Sequence, residues 1–237
     1  MAKVEIVDER FDLTARDLEI FEMIGVFGGK TSLPALGMTF FSHASDPEQQ
    51  ARQRIFKLRK KGLLKQKPTN LMRPRNYYIP TSVGRELIED RFGIHVSSSP
   101  HFSTATFWHG IYEQVAWYWL RRFGRDPQRA IVKRWSREHH HTPDLYYTNA
   151  KGKIVYVEIE MTKKNSESYS KIFTNMLKDN IAAVLYIFES EKKMKQIGRV
   201  LPVWEPVRYV SIDQMIGAAR LEAIKQSDFL LKIGEMK

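Results

Sequence analysis

Two short β-type runs joined by a glycine-containing loop place the tightest constraint on the fold of this chain. Residues 145–148 and 154–160 are rich in branched and aromatic side chains, and the loop between them contains Gly152. This pattern predicts an antiparallel hairpin. An acidic residue lies at one end of each of the two predicted strands.

Three carboxylates are expected to converge at this hairpin. Asp144 opens the first strand behind Pro143. Glu158 and Glu160 project from one face of the second strand, because side chains alternate across a strand. Carboxylates this close repel one another unless a cation lies between them, and hard divalent cations prefer oxygen ligands. The hairpin therefore predicts a Mg²⁺ (or Mn²⁺) site formed by Asp144, Glu158 and Glu160.

The charge balance favours an anionic partner. The 237 residues carry a formal net charge of +11, which favours nucleic acid first and an anionic membrane surface second. No apolar run reaches the roughly 18–20 residues that span a bilayer, and the N-terminal residues lack a signal-peptide core. Because the chain has no cysteine, disulfides and thiolate zinc sites are excluded, and a cytoplasmic location is expected.

Helix caps and breakers divide the N-terminal third into short elements. Thr14 and Asp17 form a capping-box pattern, and Gly28-Gly29 interrupts the helical spacing that follows. The run Ser45-Asp46-Pro47 combines a cap with a proline suited to a first helical turn. The predicted elements are helices from Thr14 to Gly28, from Thr31-Ser32 to Phe41 and from Gln49 to Lys61, two strands before Thr81, and a helix from there to Arg91.

The third predicted helix and the segment after it are unusually basic. Residues 52–75 contain ten Lys or Arg side chains and no acid. Such uncompensated charge repels itself and favours an anionic ligand, whereas the simpler alternative is a solvated basic face. The side chains expected to contact DNA are Arg52, Gln53, Arg54, Lys57, Lys60, Lys61, Arg73 and Arg75.

Three helices, a hairpin and a fourth helix in this order resemble a winged helix-turn-helix. The run from Ala51 to Leu64 is similar to the recognition helix of that fold. The resemblance implies that this helix enters a major groove of double-stranded DNA and that the hairpin contacts phosphate or the minor groove. A winged helix that mediates protein contacts is the alternative. We assign residues 1–92 to this domain and residues 93–103, where a Ser/Pro cluster follows, to a linker.

Residues 104–237 predict an α/β domain. The helix predicted over Thr106–Phe123 carries His109 and Glu113 four residues apart on one face. The strand predicted over Ala182–Phe188 is apolar on both faces, which is typical of a central strand. The other predicted elements are strands over Ala130–Trp135 and Arg208–Ser211, helices over Ser168–Asp179 and Glu191–Leu201, and helical spacing in the tail 217–237.

This order of elements, with acids at the second and third strands, resembles the PD-(D/E)xK nuclease superfamily. Pro143-Asp144 matches the first acid of its motif, Glu158 the second, and Glu113 the helical acid of some members. More narrowly, the winged helix, His109, Pro-Asp and the run from Glu158 to Thr162 resemble the replication-relaxation family of plasmid and mobile-element proteins. The resemblance implies a central mixed sheet flanked by helices. It also implies partners among replication, mobilisation or transposition proteins.

One residue departs from the superfamily pattern. Glu160 stands where the motif has a lysine that positions or deprotonates the attacking water, and a carboxylate cannot replace that lysine. Lys171, on the next predicted helix, is the substitute we expect, although Lys163 and Lys164 are nearer in sequence. The expected function is a metal-dependent DNA nickase or endonuclease, and the alternative is a non-catalytic DNA-binding accessory or regulatory protein. The expected catalytic residues are Asp144, Glu158, Glu160, Lys171 and Glu113.

Three adjacent histidines precede the first acid. Imidazole is a common ligand of transition metals, yet adjacent residues cannot easily all face one ion. His139, His140 and His141 are therefore expected in a polar loop near the phosphate path, with His141 nearest the acid. The sequence leaves the oligomeric state and the DNA site open.

Overall fold

A computed structural model describes residues 6–101, 103–130, 135–201 and 207–220. In this part of the chain the residues form eight helices and a five-stranded mixed sheet, which confirms the mixed α/β (α+β) class. The chain divides into two units, Met1–Gln114 and Val115–Lys237, and the division falls within one helix. Most of the strand predicted over Ala130–Trp135, and residues 221–237 of the predicted tail helix, lie outside the described residues.

The first unit contains two β-pairs and four short helices, and it ends in the helix that crosses into the second unit. In chain order the elements are β1 (Ile6–Asp8), β2 (Leu13–Thr14), α1 (Ala15–Val26), α2 (Leu33–Phe40), α3 (Pro47–Lys60), β3 (Leu64–Pro68), β4 (Asn76–Pro80), α4 (Ser82–Phe92) and α5 (Phe107–Arg122). The predicted order of three helices, a hairpin and a fourth helix is confirmed.

Side-chain caps determine where the helices of the first unit begin. The hydroxyl of Thr14 accepts from the backbone of Asp17, whose carboxylate accepts from the Thr14 N–H at 2.8 Å. This reciprocal capping box is the one predicted at the start of α1. The side chains of Ser32 and Asp46 cap α2 and α3 by accepting from the backbone N–H three residues on, and each of these helices carries a proline in its first turn.

The third helix is held with its apolar side inward and its basic side outward. Ala51, Ile55 and Leu58 are buried at helical spacing, while most residues between them are exposed. The hairpin that follows α3 belongs to the same unit, and its strands β3 and β4 pair antiparallel from Leu64↔Pro80 to Pro68↔Asn76. The basic side chains of α3 and the hairpin therefore belong to one unit.

Gly84 allows a close approach between α4 and the chain before β3. A Cβ atom at this position would lie 2.2 Å from the carbonyl oxygen of Leu63. No side chain fits at that distance, so only glycine permits the contact. The N–H of Thr81, which caps α4, donates to the same carbonyl at 3.0 Å.

The second unit is a single sheet with helices in its connections. Its strands lie in the order β5-β6-β7-β8-β9, in which β5, β6 and β7 pair antiparallel and β7, β8 and β9 pair parallel. The elements that follow α5 are β5 (Gln128–Arg129), β6 (Leu145–Thr148), β7 (Ile154–Glu160), α6 (Ser166–Lys178), β8 (Ala183–Phe188), α7 (Glu191–Gly198), β9 (Val207–Ser211) and α8 (Ile212–Arg220).

The β6–β7 hairpin and the central strand β8 were both predicted, and both are confirmed. The hairpin loop closes on Asn149, whose side chain accepts from the backbone of Lys151 and Lys153 at 2.9 and 3.1 Å. The side chains of β8 are buried on both faces, as expected for a strand between two parallel neighbours. Tyr186 of β8 packs with Phe173 of α6 in an apolar cluster of this unit.

No helix within the described ranges is both long enough and apolar enough to cross a membrane.

Candidate active site and nucleic-acid interface

Asp144 and Glu158 face each other across the β6–β7 hairpin. Leu145 pairs with Val157 in antiparallel register, and one further step of that register brings Asp144 opposite Glu158. The Asp144 carboxylate accepts a hydrogen bond from the backbone N–H of Ile159 at 2.7 Å, which holds it against β7. The hairpin thus brings together two of the three predicted metal ligands.

The pKa of Glu158 is raised to about 7. Burial is the largest cause, and the nearby charge of Asp144 adds to it, while a hydrogen bond from His141 opposes it. The side chain is 17% exposed, and the Nε2 atom of His141 lies 2.7 Å from Glu158 Oε1. A glutamate side chain binds a metal ion in its ionised form. A cation bound by Glu158 would therefore displace a proton near neutral pH.

Glu160 forms an ion pair with Lys164. The Nζ atom of Lys164 contacts a carboxylate oxygen of Glu160, whose side chain is buried. The charge of the same ammonium opposes the rise in the pKa of Glu158, so it acts on both acids of β7. The backbone N–H of Lys164 donates to the hydroxyl of Tyr169 at 3.2 Å, which ties this residue to α6.

Two sequence-based assignments change as a result. Lys171, the expected substitute for the motif lysine, is an exposed residue of α6, whereas Lys164 contacts Glu160. Glu160 was expected to bind metal, but its carboxylate is buried and neutralised by Lys164. Lys164 is therefore the lysine that contacts an acid of β7, and Glu160 holds its ammonium group.

The three histidines have three different partners. His139 stacks on Trp135 with ring centroids 4.2 Å apart, and His140 Nδ1 lies 2.9 Å from the Asp179 carboxylate. His141 contacts Glu158. The rings therefore do not converge on one ion, in agreement with the expectation for adjacent residues, and His141 is the member next to the acids.

Asp179, just past the end of α6, holds this histidine loop in place. Its carboxylate accepts from the backbone N–H groups of His140 and His141 at 2.6 and 3.0 Å, and from the Tyr156 hydroxyl at 2.9 Å. Burial alone would raise the pKa of Asp179, but these hydrogen bonds outweigh it and hold the pKa below its usual value. Asp179 thereby sets the position from which His141 reaches Glu158.

Glu113 lies on α5 and is paired with a histidine. The Nε2 atom of His109 lies 3.2 Å from Glu113 Oε1, one helical turn away, and the Glu113 side chain is mostly buried. The i,i+4 pair expected from the sequence is therefore present. Its part in any reaction stays a prediction.

The basic face of α3 and the hairpin is largely open to solvent. Six of the eight side chains expected to contact DNA are exposed, namely Arg52, Gln53, Lys57, Lys60, Arg73 and Arg75. Arg59, Lys65 and Lys67 are exposed on the same helix and hairpin. These side chains are available to an anionic ligand.

Arg54 and Lys61 instead make contacts within the first unit. The Arg54 guanidinium pairs with the fully buried carboxylate of Asp17, and burial lowers the pKa of this arginine. Lys61 Nζ donates to the carbonyl oxygens of Phe11 and Asp12, each at 2.7 Å. We therefore leave both residues out of the candidate interface, because their charged groups already have partners.

Sequence reasoning missed the roles of Lys164 and Asp179. Lys164 follows Glu160 by four residues, but no regular element joins them, so spacing alone did not indicate contact. Asp179 acts on residues 39 positions earlier in the chain, a separation that no local pattern reveals.

No protein-family model matches the chain, and no curated protein or solved structure matches it either. The resemblance to the replication-relaxation family thus stays a prediction.

Proposed function

We propose that this protein is a metal-dependent DNA nickase or endonuclease that binds duplex DNA through α3 and the β3–β4 hairpin. The observation that carries the proposal is the meeting of Asp144, which directly precedes β6, with Glu158 of β7, while the Lys164 ammonium acts on Glu158. Two acids and an ammonium group are the set that metal-assisted phosphodiester hydrolysis uses.

The residues present suit a hard divalent cation. Mg²⁺ binds proteins through one or two carboxylates and completes its shell with water and phosphate oxygens. Asp144 and Glu158 supply two such carboxylates from adjacent strands. When bound, the ion would activate water and offset charge on the scissile phosphate.

Besides the two acids, Lys164 supplies a positive charge and His141 a hydrogen-bond partner for Glu158. Lys164 is held by Glu160 and provides the positive charge that the motif lysine provides in related folds. His141 hydrogen-bonds Glu158, whose pKa of about 7 lets the Glu158 carboxyl group take up or release a proton near neutral pH. Asp179 keeps the histidine in position.

Duplex binding is supported by the exposed basic side chains of the first unit. The order of helices and hairpin supports a winged helix-turn-helix, in which α3 would lie in the major groove. The mixed sheet, with one acid directly before β6 and two on β7, supports a PD-(D/E)xK nuclease domain for the second unit. A role in a plasmid or other mobile element, with other replication, mobilisation or transposition proteins as partners, follows from the same resemblance.

The second candidate is a DNA-binding regulator that does not cleave. The Glu160–Lys164 ion pair favours it, because a neutralised ammonium contributes less charge to a phosphate. In that case the second unit would keep the fold and lose the reaction.

Incubation of supercoiled plasmid with Mg²⁺ or Mn²⁺ separates the two candidates. We expect the wild type to convert supercoiled DNA to nicked or linear DNA, and Asp144→Asn and Glu158→Gln to lose that conversion. Lys171→Ala is the matched control and should keep it, since Lys171 is exposed on α6. Salt-sensitive duplex binding without cleavage under either metal would leave the non-catalytic regulator.

A further inference from the structure

A groove in the first unit combines exposed apolar side chains with arginines. It runs between α3, the loop joining β3 to β4, and the first turn of α5. Phe56 and Met72 line it and are 53% and 92% exposed, which is unusual for side chains of this size. Trp108 of α5 contributes a third large apolar side chain. We call this feature the aromatic groove.

Four arginines border the same groove. Arg52 and Arg59 come from α3, and Arg73 and Arg75 come from the hairpin loop. Tyr78 lines the same groove as Arg52 and Arg59, and burial raises the pKa of its hydroxyl. Glu48 is the single acid among the described residues of this lining, so the four arginines give the groove an excess of positive charge.

The hairpin loop that presents Met72 is held by its own hydrogen bonds. Thr69 is buried, and its hydroxyl donates to the carbonyl oxygen of Pro74 at 2.5 Å. The Thr69 N–H donates to Arg75 O at 2.9 Å, and the Leu71 N–H donates to the Thr69 hydroxyl at 3.1 Å. Arg59 donates to Gln66 at 2.8 Å and so links α3 to β3. The two walls of the groove are thus positioned before any ligand arrives.

Aromatic side chains beside guanidinium groups suit a flat, weakly polar ring with a negatively charged group next to it. A nucleobase with its phosphate fits that description, because every base has a face that stacks on aromatic side chains. In an intact duplex these faces are covered by neighbouring base pairs, and only the base edges are accessible. The groove therefore matches an unstacked base and not a paired one.

We propose that the aromatic groove binds an unpaired base of single-stranded DNA, next to the duplex that contacts the exposed face of α3. The proposal rests on the proposed DNA binding and adds its substrate class, a junction between duplex and single strand. Phe56 and Trp108 provide the stacking surfaces, Met72 covers the base from the hairpin side, and Arg59, which is not among the side chains expected to contact the duplex, contacts a flanking phosphate.

The test compares two DNAs with equal numbers of phosphates, a blunt duplex and a duplex with a single-stranded tail containing 2-aminopurine. Binding is measured in EDTA, so that cleavage does not interfere. We expect the wild type to prefer the tailed DNA by roughly fivefold or more, since stacking on one aromatic side chain contributes at least that much. The fluorescence of 2-aminopurine should fall on binding as the base stacks.

Three variants locate the effect. Phe56→Ala, Trp108→Ala and Met72→Ser should each reduce the preference for the tail while leaving binding to the blunt duplex within about twofold. Leu177→Ala is the matched control, because Leu177 is an exposed apolar residue of α6 outside the groove, 57% exposed. Met72 is so exposed that its replacement cannot disturb folding by opening a cavity.

Equal affinity of the wild type for both DNAs would overturn the inference and leave the proposed DNA binding intact. A preference for the tailed DNA that survives in both Phe56→Ala and Met72→Ser would also overturn the inference and leave the proposed DNA binding intact. Failure of the wild type to bind either DNA would instead refute the DNA-binding function itself, and binding of an acidic, aromatic-rich peptide in the groove would then identify a protein partner.

Discussion

The raised pKa of Glu158 makes a prediction about the stability of the metal-free protein that requires no assumption about activity. The pKa rises from 4.5 to about 7 on folding. Between these values the folded chain holds a proton that the unfolded chain releases, so the wild type loses stability as pH rises through this window. Glu158→Gln removes the titration and keeps the size of the side chain.

The magnitude follows from the size of the shift. The pKa of Glu158 rises by about 2.5, and each pKa unit is equivalent to roughly 1.4 kcal/mol. The free energy of unfolding therefore changes by about 3 kcal/mol over the full pH window. We therefore expect Glu158→Gln and the wild type to be similarly stable near pH 4.5. At pH 8 the variant should be more stable, by up to about 3 kcal/mol.

Urea unfolding at a series of pH values between 4.5 and 8, without divalent ions, measures this difference. Glu138→Gln is the control, because Glu138 is an exposed residue of the same unit, and its difference from the wild type should stay constant. Added Mg²⁺ should stabilise the wild type at pH 8 but not Glu158→Gln. A difference between Glu158→Gln and wild type that does not change with pH would refute the assignment of a neutral, buried Glu158.

Three further predictions concern residues whose roles only the structure revealed. Lys164→Met should abolish metal-dependent nicking while Lys171→Met keeps it, as measured on supercoiled plasmid; the opposite pattern would restore Lys171 as the ammonium donor. Arg54→Met should destabilise the first unit by about 3–5 kcal/mol in urea unfolding, because it leaves the buried carboxylate of Asp17 unpaired, whereas Lys193→Met, at a more exposed pair 3.9 Å apart, should cost less than about 1 kcal/mol. Asp179→Asn should cost about 1–3 kcal/mol at pH 7 through lost hydrogen bonds; because the pKa of Asp179 is lowered on folding, the difference from the wild type should shrink as pH falls below about 4, and a pH-independent difference would contradict this role.

Much of the secondary structure could be predicted because its causes are local. Thr14, Ser32 and Asp46 begin helices through contacts with the residue three positions on, and glycine with Asn149 closes the β6–β7 loop. The buried stripe of α3 follows from helical spacing alone. These features need no knowledge of distant residues.

The candidate site was predictable only where the hairpin itself determines it. The register of β6 and β7 places Asp144 opposite Glu158, so the sequence was enough to pair these two acids. It could not show that Glu160 turns to Lys164, because a side chain's partner depends on which neighbours bury it. Nor could a count of basic residues distinguish Arg54, which pairs with buried Asp17, from the exposed Arg52 two positions earlier.

The sequence by itself determined which residues cap, turn, alternate and carry charge, since these properties act over a few positions along the chain. Tertiary structure alone decided how those charges are used. Packing of α6 brought Asp179 to the histidine loop, and burial raised the pKa of Glu158 to about 7. Contacts between residues distant in the chain set the partners and the burial of each ionisable group, and burial and partners together determine its chemistry.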